Sequence, residues 1–442
     1  MLRKPALAHI IPRTGVDFPA VDPSSILKIS YVNNHYQLGG AETVVRQLHE
    51  GALAAGHDSR LHVTEGKTWP LAPGLRPLYP RLLARLEHSR AHDLVQRLTP
   101  RWTWTDRAFR QLASGDADLV HVHSFHGLYA SLESFAVVAR AKPLLWTFHR
   151  FWGITGGCDH PFGCERYQTG CGDCPQVGRF AVGPVDRTAS EWNEKRTHLA
   201  PLPLHIISPS RHLAQRVKSS VLGRDWTVHI IPNGVDPASF TGARKRSPAL
   251  RQELGLHPEK PVVLVACRDF KDPIKGFPTI ERALASCVWP GLQVVLAGEN
   301  AAWARARLPS ELAVVNHGYV RERDRMATLC EAADFFLFAS DGENFPCIVI
   351  EAMAAECVVV SSPVDGVMEQ VEDGVTGLIA PDASAESLGR LLASALSLSQ
   401  ERQQALGAAA RRRVETEFSE DRMIEAHLKL YARLIREQQL RR

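Results

Sequence analysis

No apolar run in this chain of 442 residues approaches the length a membrane-spanning helix requires, roughly 18 residues. The opening MLRKPALAHI is too short and too interrupted for a secretory leader. Excess charge of one sign is also scarce: 52 Lys and Arg stand against 48 Asp and Glu, a net +4, which gives no reason to expect a nucleic-acid partner. Nine cysteines, an odd number scattered along a long chain, do not form a secreted disulfide framework, so a reducing cytoplasm is expected. Short-period repeats and low-complexity tracts are absent.

What is present is an alternation of short β-branched runs with longer helical patterns. LKISYV (27–32), DSRLHV (58–63), DLVHVH (118–123), PLLWTF (143–148), LHIIS (204–208) and TVHIIP (227–232) read as buried strands. PVVLVAC (261–267), LQVVLAG (292–298), LAVVNHG (312–318), DFFLFAS (334–340) and CVVVSS (357–362) form a second series. Strands separated by helices imply parallel sheets covered on both faces, so the fold class is α/β with two Rossmann-like domains. The expected units are residues 1–240, residues 241–420 and a terminal helix over 421–442 that docks back on the first domain. The basic stretch TGARKRSP (241–248) reads as the linker between the two domains.

Ligands of open α/β sheets bind at the carboxyl ends of the strands. Gly39 and Gly40 follow the first strand and precede a helix starting near Ala41, which lets backbone approach a ligand and offers N–H groups to an anion, although this is not the dinucleotide pattern. In GENFPCIVIEAMA (342–354), Pro346 reads as the first helical residue, capped by Asn344 or Phe345, with the N–H groups of Cys347, Ile348 and Val349 aimed into the cleft. Glu343 precedes that helix and Glu351 lies inside it. Two carboxylates around a helix start suit a ligand with an anionic middle and hydroxyl-bearing ends. Arg268 and Lys275, in CRDFKDPIKGF, are placed to neutralise a diphosphate. His149 lies at the carboxyl end of its strand, whereas His121 and His123 share one face of DLVHVH, where a satisfied core histidine is expected.

GGAE (39–42), TFH (147–149), PSR (209–211), IPNGVD (231–236), KGF (275–277), HGYV (317–320), ENFPCIVIEAMA and GVMEQVEDGVTGLI (366–379) together resemble glycosyltransferase family 4. The resemblance implies a GT-B architecture with a cleft between two domains, retention of anomeric configuration and no catalytic metal. It assigns Glu351 to the ribose hydroxyls of a nucleoside-diphosphate sugar and Glu343 to the sugar. The N–H groups of Phe345, Pro346's successor Cys347 and Ile348 would cradle the phosphate. Arg268 and Lys275 would sit on the diphosphate, Gly40 would approach it from the other domain, and His149 would contact the sugar. Gly366 and Glu369 would line the donor or acceptor side. Proline at 346 departs from the family, which more often has glycine there. The acceptor would be a glycan or lipid-linked sugar of bacterial polysaccharide synthesis. A sugar-nucleotide epimerase of similar architecture and a non-catalytic nucleotide-sugar binding protein are the competing readings.

Two segments fall outside this pattern. Between residues 156 and 176, Cys158, Cys164, Cys171 and Cys174 stand among five glycines. The CGDC end suits a two-thiolate metal knuckle, and structural zinc, reduced thiols and disulfides are all open, with His160 as a substitute ligand. This insertion resembles one in glycosyltransferases of the colanic acid type. Residues 76–110 carry eight arginines against three acids, interleaved with leucine and tryptophan, which suits contact with an anionic membrane surface.

Overall fold

The computed structural model describes residues 26–36, 39–63, 74–77, 103–125, 130–179, 181–240 and 245–441. Its first sheet contains β1 (Lys28–Asn33), β2 (Asp58–Val63), β3 (Leu75–Pro77), β4 (Leu119–Val122), β5 (Leu144–Thr147), β6 (His205–Ser208) and β7 (Thr227–Ile230). They lie in the order β3-β2-β1-β4-β5-β6-β7. The second sheet contains β8 (Val262–Asp269), β9 (Gln293–Glu299), β10 (Ala313–Gly318), β11 (Phe335–Phe338), β12 (Val358–Ser361) and β13 (Leu378–Ile379), in the order β10-β9-β8-β11-β12-β13. All pairings in both sheets are parallel. Parallel strands need crossovers, and the helical crossovers cover both faces. Hence every residue of β11 and β12 is buried.

Both sheets reverse winding beside their first strand, between β1 and β4 and between β8 and β11. Those reversals open the crevices in which such folds hold ligands. β3 and β13 escape sequence pattern because each is only two or three residues long and sits at a sheet edge. The basic stretch after Phe240 is less of a free linker than its composition suggests. Lys245 Nζ donates to the Cys330 and Ala333 carbonyls, and Arg246 pairs with Asp334, so its described part is bound to the second sheet's core. Residues 241–244 lie outside the described residues.

The helix Glu420–Arg441 leaves the second domain and lies against the first. Met423, Ile424, Leu430, Tyr431 and Leu434 share a core with Val44, Val45, Leu48 and Ala52 of the helix Gly40–Ala54. Glycine at 51 permits this approach, since a Cβ there would lie 2.5 Å from Ile424 Cδ1. The two interdomain crossovers run side by side, with Val235 bridged to Ser419 and its N–H donating to the Phe418 carbonyl at 2.9 Å.

Candidate active site

The carboxyl ends of the two sheets meet. A Cβ on Gly40, at the start of its helix, would sit 3.7 Å from Cys347 Sγ, the first residue of the helix Cys347–Ala354 in the other domain. Two helix N-termini therefore face one another, each with a positive dipole end and backbone donors that no carbonyl of its own helix can satisfy. Gly39, fully extended at φ −172°, caps the first of them.

Pro346 caps the second helix and does not begin it, which corrects the sequence expectation by one residue. Its ψ of 118° is extended, so Cys347 is the first helical position. The Val349 N–H already donates to the Pro346 carbonyl at 3.2 Å, and the donors left to the cleft are those of Cys347 and Ile348. Proline thus removes an N–H only before the helix, at no cost to its ladder. Glu343, just upstream, accepts a hydrogen bond from Lys275 Nζ at 2.5 Å, with side chains 15% and 25% exposed. Burial disfavours the ammonium, but the adjacent carboxylate outweighs it and raises the Lys275 pKa. Lys271, in the same loop, approaches the Trp303 ring instead, so Lys275 is the lysine that pairs with Glu343. Arg268 stands one residue before the end of β8 with an exposed side chain. Glu351 is half-buried one turn into its helix. Burial raises its pKa, and the positive charge of Arg323 pulls it back.

His149 follows β5 and bonds through Nε2 to His123 Nδ1 at 3.0 Å, with the rings stacked. Desolvation, aided by the charge of Arg150, pushes its pKa down to about 3. The imidazole is neutral at physiological pH. His121 is the satisfied core histidine, bonded to Tyr431 and to Thr147, each at 2.7 Å.

Three expected ligand residues have structural uses that the sequence did not suggest. The Asn344 side chain spans the domains, accepting from Ser210 Oγ at 2.5 Å and donating to the Phe148 carbonyl at 3.0 Å. Phe345 is buried in the second core, and its carbonyl accepts from Asn233. Glu369 caps the helix Arg211–Ser219 across the interface, its oxygens accepting from the Arg211 and His212 N–H groups at 2.7 Å each. Gly366 is required for close backbone contact, because a Cβ would lie 2.1 Å from the Asn344 carbonyl oxygen. Sequence reasoning missed Arg150, which pairs with Asp159 and whose charge also reaches Glu343 and Glu42, and Arg323, which pairs with Glu420 at 3.2 Å and whose charge also reaches Glu351. Arg150 follows a strand end, which was a usable signal. Arg323 stands in the charged run RERDR, where nothing separates it from solvated arginines.

Two Rossmann-like domains with opposed carboxyl edges define a GT-B glycosyltransferase fold. Solved structures agree. The chain resembles sucrose-phosphate synthase from Thermosynechococcus elongatus with a TM-score of 0.70 at 20% identity, covering 93% of this chain and 100% of that one. It also resembles Anabaena Alr3699/HepE in complex with UDP and glucose, with a TM-score of 0.66 at 18% identity over 92% and 100% of the two chains.

Residues 38–239 match Glycosyltransferase Family 4, and residues 247–413 match Glycosyl transferases group 1. A D-inositol 3-phosphate glycosyltransferase of Xylanimonas cellulosilytica is 32% identical over 380 residues, 81% of this chain and 82% of that protein. The putative colanic acid biosynthesis glycosyl transferase WcaC of Escherichia coli strain K12 is 26% identical over 349 residues, 76% and 82% of the two. The chain belongs to glycosyltransferase family 4 and is an enzyme of the hexosyltransferase class. That membership sets aside the epimerase and non-catalytic readings. No helix among the described residues is long and apolar enough to cross a membrane.

Proposed function

We propose that this enzyme moves a hexose from a nucleoside-diphosphate sugar to a glycan or lipid-linked acceptor in bacterial polysaccharide synthesis, with retention of configuration. The observation that carries the reading is the convergence of two helix starts, at Gly40 and Cys347, beside the Lys275–Glu343 pair. The diphosphate lies between those starts, Glu351 holds ribose, and Glu343 and His149 hold the sugar. Residues 1–240 take the acceptor, residues 241–420 take the donor, and residues 421–442 close the molecule. HepE, of similar fold, was solved with UDP-glucose, and WcaC is named for colanic acid, which supports the donor and acceptor classes.

When the bond between the anomeric carbon and the phosphate oxygen breaks, its electron pair leaves with the diphosphate. Lys275, Arg268 and the two helix dipoles stabilise that negative charge. The acceptor oxygen forms its bond to the anomeric carbon on the face the diphosphate leaves, and its proton passes to a diphosphate oxygen. Glu343 is held in an ion pair, unlike a nucleophile poised beneath a sugar ring. His149, neutral and oriented by His123, offers Nδ1 to a sugar hydroxyl and takes no proton. Acceptor-dependent release of nucleoside diphosphate from a panel of nucleotide sugars, with NMR of the product anomer, tests the proposal. An inverted product, or a glycosyl adduct trapped on Glu343, would overturn the mechanism.

A further inference from the structure

The Cys-rich insertion plays no part in the chemistry above. It joins the end of β5 to the helix Thr188–His198, and among the described residues its regular elements are two 3-10 turns at Trp152–Ile154 and Arg166–Gln168. Phe151, Ile154 and Tyr167 tie it into the first domain's core, and the glycines around its cysteines leave the rest to a local staple.

Its four cysteines converge. Cys158, Cys164, Cys171 and Cys174 all line one cavity of ≈ 20 Å³, together with Tyr167, and this is room for a single water-sized body. All four sulfurs are outside disulfides. Cys158 lies within electrostatic reach of the other three. The backbone is also arranged for sulfur. Gly172 (φ 139°) and Asp173 (φ 47°) turn the chain sharply between Cys171 and Cys174. The Gln176 N–H points at Cys174 Sγ at 3.4 Å, and the Gly156 N–H points at Cys171 Sγ at 3.2 Å. A thiol sulfur is a weak acceptor, whereas a metal-bound thiolate is a good one, so amides aimed at cysteine sulfurs in a two-residue knuckle suit a metal site. Among the described residues no three His, Cys, Asp or Glu side chains stand close enough to hold an ion as they are, so the four sulfurs around the cavity would have to move together to bind one. His160 does not line that cavity. Its ring packs on Gly342 of the other domain, where a Cβ would meet His160 Nδ1 at 3.0 Å and Phe162 Cε1 at 3.1 Å.

We propose that Cys158, Cys164, Cys171 and Cys174 bind one zinc ion in a closed, structural four-thiolate site that holds the insertion, through His160 and Phe162, against Gly342. The ion binding is independent of the donor and mechanism assigned above. Four thiolates fit zinc, which takes tetrahedral sulfur ligands at about 2.3 Å and needs no open position in a structural site. Gly342 immediately precedes Glu343, so the ion would steady one wall of the site without touching a substrate.

The test uses full-length protein purified without chelators from zinc-supplemented medium. Elemental analysis should find about one zinc per chain, released on titration with an organomercurial. Protein grown with cobalt should show the thiolate-to-metal charge-transfer bands of a tetrahedral sulfur site. Cys174→Ser should lose at least 10-fold in zinc content, while Cys287→Ser, in the other domain's core, should keep it. If Cys174→Ser fails to fold, the wild-type metal content and cobalt spectrum decide alone. Metal-free wild-type protein after zinc dialysis, two disulfides by mass spectrometry, or full zinc retention in a folded Cys174→Ser protein would each overturn the proposal.

Discussion

Replacing Glu343 by glutamine should separate the two duties of its ion pair. The substitution removes the carboxylate and leaves the Lys275 ammonium in place, with Nζ 2.5 Å from where Oε1 stood. Breaking a fully buried pair costs about 3–5 kcal/mol, and an exposed pair contributes about 0.2–1 kcal/mol. With side chains 15% and 25% exposed, screening lowers the expectation to about 2 kcal/mol, or about 4–8 °C in the melting of a domain this size. Lys275→Met should cost at least as much, because the carboxylate it leaves unpaired is the more buried partner, and the double variant should recover part of the loss. Because the folded pKa of Lys275 is raised, the pair's contribution is present below the ordinary value of 10.5 and is lost only as pH rises through the folded pKa. In the proposed donor site the diphosphate would compete with Glu343 for this ammonium, so Glu343→Gln should bind the free diphosphate more tightly while turning over donor more slowly. Lys275→Met should weaken diphosphate binding and lower kcat about 10²–10³-fold. Thermal melts with calorimetric titration of the diphosphate measure both effects. If Glu343→Gln melts with wild type and also binds diphosphate no better, the pair neither supports the loop nor gates the cation, and the proposed donor site is wrong.

Gly366→Ala should disturb the Asn344–Phe345 backbone, because its Cβ would meet the Asn344 carbonyl oxygen at 2.1 Å. We expect a stability loss of about 1–3 kcal/mol by denaturant titration, with a larger fractional loss of kcat as the following helix start shifts. His427 is 2% exposed, and burial pushes its pKa down to about 4. Unfolding lets it take up a proton, so its contribution is intact above the unfolded pKa of about 6.5 and falls by about 2 kcal/mol at pH 5, which His427→Gln should abolish in pH-dependent unfolding. The arginine-rich stretch 76–110 should float with anionic liposomes in a salt-sensitive manner. Absence of binding at low salt would remove its membrane role. Residues 78–102 of that stretch lie outside the described residues.

Among the described residues, sequence pattern located eleven of thirteen strands within one or two residues, chiefly because a strand buried on both faces, such as β11 or β12, must be apolar along its length. The same logic placed the two domains' carboxyl-end loops, and with them Gly40, His149, Lys275 and Glu343. Edge strands β3 and β13 were invisible, since two or three residues carry no period. What the chain itself determined was local: strand, turn, helix start, and the clustering of four cysteines within one loop.

Partnership needed the folded molecule. Lys275 and Glu343 are 68 residues apart, and Asn344 and Ser210 are 134 apart. Only the packing of two sheets shows that one pair faces the cleft while the other clamps it. Glu369 resembled a ligand residue in the motif but spends both oxygens on a helix 157 and 158 residues away. A carboxylate's residue type says that it will accept hydrogen bonds. Which donors reach it first is decided by tertiary contacts, because backbone amides and ligand hydroxyls both donate to it.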